Sequence, residues 1–163
     1  MVAAPVAPPR YALLIGNQNY PKFQPDVNHA RPLKNPRADA EDLGALLKSY
    51  GFNVTVITDA DRTTMKAAVS KFTRQLPPDS TAFFFYAGHG IQLHDKTEGE
   101  SNNYLLPVAE NFITPADVKH FGISAQWIRD ELQGSPAQFK FMILDACREK
   151  MVLENEPNFH NLG

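Results

Sequence analysis

The sequence holds a single cysteine, Cys147, among 163 residues. An internal disulfide framework and a cysteine-rich zinc site are thereby excluded, and a free thiol fits a reducing compartment. Net charge is also small. Sixteen basic residues against 18 acidic ones leave −2, which is no electrostatic footprint for nucleic acid or an anionic membrane surface. No apolar run approaches the roughly 20 residues that span a bilayer. The opening MVAAPVAPPR lacks a basic n-region, and Pro5, Pro8 and Pro9 interrupt any apolar h-region, so it does not read as a signal peptide. There is no C-x-x-C for thioredoxin-like redox chemistry and no G-x-S-x-G for a serine hydrolase. The expectation is a cytoplasmic, soluble protein of one domain.

What is present alternates between apolar runs and helical patterns. YALLIG (Tyr11–Gly16) reads as a buried strand, followed by a long polar loop punctuated by prolines. Pro36 opens a helix with acids in its first turn, an apolar face of Leu43, Leu46 and Leu47, and Gly51 as its stop. NVTVITD (Asn53–Asp59) is a β-branched strand, and RTTMKAAVSKFTRQL a second helix ended by Pro77 and Pro78. TAFFFYA is apolar without a break, as in a strand covered on both faces. Residues 90–102 are polar and acidic and read as an exposed loop, with NYLLPV returning as a short strand or hairpin arm. Ser124 caps a third helix, SAQWIRDEL, and FKFMILDA is the last strand. Beyond Cys147 no periodicity is evident. Strand–helix alternation with right-handed crossovers predicts an α/β fold, a mostly parallel sheet with helices on both faces.

Two reactive side chains stand where apolar strands give out. His89 follows TAFFFYA within GHG, and Cys147 follows FKFMIL within LDACRE. Ligands of open parallel sheets bind beyond the carboxyl ends of the strands. A thiol and an imidazole converging there suggest a cysteine hydrolase, although a lone cysteine is more often an inert core thiol.

YAGHG (Tyr86–Gly90), DACR (Asp145–Arg148) and LLIGNQNY near the start together resemble the caspase-type cysteine peptidases, nearest the paracaspase and metacaspase branches. The resemblance covers about residues 10–150 and implies the three-layer caspase-like fold, large-subunit portion. Residues 1–9 are then a flexible leader, and 151–163 a linker or tail toward a small subunit. The resemblance implies that Cys147 is the nucleophile and His89 the general base and acid. It implies that Gly90 supplies an oxyanion-hole N–H together with that of Cys147. The animal-caspase pattern Q-A-C-R-G is altered here, with Asp145 in place of Gln and Glu149 in place of Gly. Asp39, in PRADAED, matches an acidic S1 position of the para- and metacaspases. Two carboxylates in one pocket would attract a guanidinium or ammonium and repel a carboxylate, so cleavage after Arg, then Lys, is expected. Each acid also has an ordinary reading. Asp39 complements a helix dipole, and Asp145 could cap or ion-pair at a strand end.

Asp59 and Asp61 read as turn formers and Trp127 as core. His29, His94, His120 and His160 read as loop or helix-end residues without metal-ligand spacing, so no metal site is expected. Asp95, Glu98 and Glu100 lack an EF-hand pattern and read as a solvated acidic loop, which gives no motif support for calcium dependence. No cofactor is expected. The implied partners are a protein or peptide substrate and a caspase-like small subunit, with a homodimer left open. A catalytically silent interaction module on the same fold is the alternative function.

Overall fold

The computed structural model describes residues 7–20, 33–96, 99–109, 112, 114–146 and 149–153. Along the chain these form β1 (Arg10–Gly16), α1 (Pro36–Ser49), β2 (Asn53–Thr58), α2 (Arg62–Arg74), β3 (Thr81–Gly88), β4 (Gly90–Asp95) and β5 (Glu100–Leu105). There follow α3 (Pro115–Phe121), β6 (Ile123–Ser124), α4 (Ala125–Gly134), β7 (Phe139–Ala146) and β8 (Glu149–Leu153).

Four strands form a parallel sheet in the order β2-β1-β3-β7. Alternation along β1 supplies both of its faces. Leu13 and Ile15 join Phe84 and Tyr86 of β3 in a cluster with Met65, Val69 and Phe72 of α2 and Ile128 and Leu132 of α4. Ala12 and Leu14 join Phe85 and Ala87 on the other face, against Ala40 and Leu47 of α1. Helices therefore cover both faces, which makes this the expected α/β architecture. Each fully buried large side chain contributes roughly 1.5–3 kcal/mol. Gly16 is required where α1 starts, because a Cβ there would run into the carbonyl of Pro36 and come within 3.0 Å of the Ala40 methyl.

Several readings of the sequence need correction. Residues 90–102 are largely a hairpin rather than an exposed loop. β4 pairs antiparallel with β5, and Ile91, Leu93 and Asp95 point inward on alternate positions. Asp95 is buried rather than solvated. Its carboxylate accepts from Lys119 Nζ of α3 at 2.7 Å, which offsets the penalty of burying a charge. His94 lies within β4 and pairs with Ser101 Oγ at 3.0 Å, so it is not a loop residue. The helix α3, unanticipated, is opened by a capping box between Thr114 and Asp117 with Pro115 in its first turn. The pattern does not stop after Cys147 either. β8 pairs parallel with β4, completing a second sheet of order β6-β5-β4-β8, and it includes residues 151–153. Ser124 caps α4 as expected, accepting from Trp127 N at 3.3 Å, and Trp127 packs against the core. Among the described residues no helix is long and apolar enough to cross a membrane.

One buried amide joins the two sheets. Asn17 is fully buried at the end of β1. Its Oδ1 accepts from Ala60 N at 2.9 Å, and its Nδ2 donates to Leu106 O at 3.0 Å and Ala60 O at 3.3 Å. Its own N–H extends the β1–β3 ladder by donating to Ala87 O at 2.9 Å. Replacing Asn17 by Ala strands the buried Ala60 N–H. The expected destabilisation is about 1–3 kcal/mol, read as a lower denaturant midpoint at unchanged slope; an unchanged midpoint would refute this role for the amide.

Candidate active site

β3 ends at Gly88 and β4 begins at Gly90, so His89 is the single residue between two strands of different sheets. Its side chain is buried, 6% exposed. The register pairs Gly90 with Leu105, which places His89 opposite Leu106. Leu106 N donates to His89 O at 3.0 Å, as an antiparallel hydrogen-bonded pair requires. The reciprocal bond is replaced. His89 N donates instead to Tyr20 Oη at 2.9 Å, and that hydroxyl lies 3.2 Å from Leu106 O. Tyr86 Oη stands 3.1 Å from Tyr20 Oη, 2.9 Å from His89 O and 3.0 Å from Leu106 O. Both peptide groups of His89 are thus held by phenols, and the Tyr20 ring meets the imidazole edge-on at 4.6 Å between centroids.

Burial raises the Tyr20 hydroxyl to about 12 and lifts Tyr86 well above the ordinary tyrosine range, so both stay protonated at working pH. Gly88 makes room for them. A Cβ there would sit 2.5 Å from Tyr86 Oη and 2.7 Å from Tyr20 Oη.

Tyr20 is anchored through Asp59. Asp59 takes a left-handed backbone at φ 52°, a conformation Asp tolerates better than most residues. Its carboxylate accepts from Gln18 N at 2.8 Å, Asn19 N at 2.9 Å and Asn19 Nδ2 at 2.6 Å. Partial burial alone would raise its pKa, but these three hydrogen bonds and the charge of Arg37 outweigh it and hold the carboxyl below its ordinary value. Asp61 is the N-cap of α2, accepting from Thr64 N at 2.7 Å. Both aspartates are turn formers as read, and Asp59 also carries the turn that presents Tyr20.

The two acids expected to read a substrate side chain share one cleft. Asp39 in the first turn of α1 and Asp145 near the end of β7 line a space of about 230 Å³ with Ala87, Gly88, Pro36, Asn35, Leu33 and Lys34. The sheet brings Asp145 there by pairing it with Ala87, one residue short of the end of β3. Two carboxylates against the single ammonium of Lys34 leave the cleft net acidic. On the opposite face of β7, Leu144 and Ala146 line a smaller cleft of about 100 Å³ with Gly90, Ile91, Asn103, Tyr104 and Leu105.

Gly90 belongs to a non-hydrogen-bonded pair with Leu105, so its N–H is turned away from β5, toward the side of β4 on which β8 lies. Cys147 lies outside the described residues, as do His29, His160 and Glu98. Its neighbours are set nonetheless: Ala146 ends β7 opposite Gly88, and Glu149 opens β8 opposite Ile91. Among the described residues no group of three His, Cys, Asp or Glu side chains could hold a metal.

Sequence reasoning missed the roles of Tyr20, Tyr86 and Gly88. Tyr86 carried a signal, a polar-tipped aromatic closing an otherwise apolar strand. Tyr20 carried none beyond its place in LLIGNQNY.

A caspase-domain family model matches residues 9–161. The chain is 30% identical over 147 residues to human mucosa-associated lymphoid tissue lymphoma translocation protein 1 and 29% identical to its mouse homologue. The match takes in 90% of this chain but only 16% of the length of each relative. A protein of Geobacter sulfurreducens with a solved crystal structure superposes at TM-score 0.64 and 22% identity, over 88% of this chain and 52% of its own. That likeness speaks to the fold alone.

The depressed Asp59 carboxyl has a defined pH signature. A folded-state pKa below 3.8 means its stabilisation is present above the unfolded value and lost as pH falls through the folded one. Asp59→Asn is therefore expected to melt below the wild type at neutral pH, with the gap closing below about pH 4. A gap that stays constant down to strongly acid pH would contradict this.

Proposed function

The chain belongs to the caspase-domain family, and from that premise we propose that it is a cysteine endopeptidase cleaving after Arg, then Lys. The observation that carries the specificity is the joint lining of one cleft by Asp39 and Asp145. A guanidinium there can pair with two carboxylates at once, whereas a P1 carboxylate meets like charge.

On this reading the Cys147 sulfur, after yielding its proton to the His89 imidazole, attacks the scissile carbonyl carbon. The carbonyl electrons move onto oxygen, which the N–H groups of Gly90 and Cys147 stabilise. Losing one such donor typically costs about 2.7–4 kcal/mol. As the tetrahedral intermediate collapses, the C–N bond breaks and His89 gives its proton to the leaving amine. Water then hydrolyses the thioester with His89 again as base, returning the free thiol. The outward-turned Gly90 N–H supports its part in this scheme.

A small subunit of the caspase-like type is the partner this reading calls for. Its support is β7, the outer strand of the parallel sheet, which leaves Phe139, Phe141 and Ile143 53%, 51% and 46% exposed on one face. An exposed apolar edge of this kind is one that proteins normally cover. A homodimer through the same edge is the alternative occupant. A cytoplasmic location accompanies the free thiol, and no cofactor is invoked. The exposed edge also suits the second reading, a silent interaction module.

The test is a peptidase assay on the full natural chain that carries this domain, with matched fluorogenic peptides ending in Arg, Lys or Asp, with and without calcium. Arg and Lys turnover abolished by Cys147→Ala is expected, with Asp145→Asn lowering kcat/KM on Arg peptides about 10- to 100-fold. Preference for Asp would sink the pocket assignment. No turnover of any peptide would favour the interaction module.

A further inference from the structure

We infer that Tyr20 is a positioning residue for His89, its hydroxyl standing in the ladder where the His89 N–H would otherwise pair with Leu106. The inference rests on the peptidase reading and adds a residue to the machinery of the same site.

The geometry is specific. The register puts His89 opposite Leu106, and one of their two reciprocal bonds is made, Leu106 N to His89 O at 3.0 Å. The other runs through the phenol: His89 N to Tyr20 Oη at 2.9 Å, then Tyr20 Oη to Leu106 O at 3.2 Å. Tyr86 completes the circuit, with its hydroxyl 3.1 Å from Tyr20 Oη and 2.9 Å from His89 O. The inserted hydroxyl opens the strand pair at one residue and fixes the peptide on both sides of the His89 Cα. A fixed peptide fixes the Cα–Cβ direction, and the Tyr20 ring against the imidazole restricts its tilt. Loss of the hydroxyl frees the His89 N–H to pair directly with Leu106 O, a rotation that carries the imidazole with it. Misplacing a reacting group by about 1 Å can lower a rate by roughly 100-fold.

The arrangement has its own supports. Gly88 is without a Cβ where one would strike both hydroxyls. Asp59 holds the turn of Gln18 and Asn19 that delivers Tyr20. Tyr20 is buried, 4% exposed, so its hydroxyl has no solvent to turn to. Among the described residues, the Tyr20 ring lies against the imidazole and the Tyr86 hydroxyl bonds the His89 carbonyl, both phenols protonated, with the Asp59 carboxylate beyond Tyr20.

The test uses Tyr20→Phe, which keeps the ring and removes the hydroxyl. Its readout is the pH–rate profile for iodoacetamide alkylation of Cys147 in the full chain, which needs no peptide turnover. The expected result is alkylation slowed about tenfold or more near neutral pH, with a shifted profile. In the peptidase assay kcat should fall while KM holds. A wild-type alkylation profile in Tyr20→Phe overturns the inference. Hydrogen exchange at the His89 amide of the unmutated chain gives a second arm that does not depend on the variant folding. Protection supports the phenol bond, and exchange at the rate of a free amide overturns it. His89→Ala separates the levels. If it leaves the Cys147 profile unchanged, the Cys–His dyad itself fails; if it alters the profile while Tyr20→Phe does not, only the positioning role fails.

Discussion

A phenol stands between the N–H of His89 and the C=O of Leu106, and much of the site is arranged around that insertion. A hydroxyl buried among apolar side chains must find both a donor and an acceptor, because an unmade bond in such a place costs about 1–3 kcal/mol. Tyr20 finds both within one strand pair. Leu106 O in turn collects the Asn17 amide and approaches from both tyrosines, so a single carbonyl ties the end of β1, the end of β3 and the exit of β5 together. The two sheets, otherwise separate ladders, are locked at this carbonyl. It is also the place where the chain switches from one sheet to the other through one histidine.

The β3–β7 pair divides the neighbourhood by charge. Alternation along β7 sends Asp145 to the face covered by α1, where it meets Asp39, and sends Leu144 and Ala146 to the opposite face. One strand therefore delivers an acidic wall to one side and an apolar wall to the other, within three residues of the proposed nucleophile. Period-two geometry alone enforces this, since a one-residue slip would exchange the walls. The register Ala87 with Asp145 and Gly88 with Ala146 is what keeps the acid on the α1 side.

How legible this was in the sequence depended on how local each signal is. Strands buried on both faces announce themselves as unbroken apolar runs, and Pro36, Gly51, Ser124 and Pro77 mark helix ends through backbone rules that need no tertiary context. β4 carried its alternation openly in Ile91 and Leu93, but Asp95 occupies the third inward position and made the stretch read as polar. An ion pair with Lys119, 24 residues away, helps make that burial tolerable. β8 has five residues and derives its order from β4, so nothing within it predicts a strand. The acidic pair was legible through resemblance, and its convergence needed the sheet. Tyr20 was not legible as a partner of His89, because the bond joins positions 69 apart and its only local correlate is a tyrosine in a polar loop.

β7 ends at Ala146 in one sheet and β8 begins at Glu149 in the other. Three Cα-to-Cα steps join them, a reach of at most about 11 Å. Ala146 and Glu149 are each held in a ladder, so the two sheets cannot part at this edge by more than that reach. The shortness of the joint, as much as the chemistry of its side chains, couples the edge of one sheet to the edge of the other.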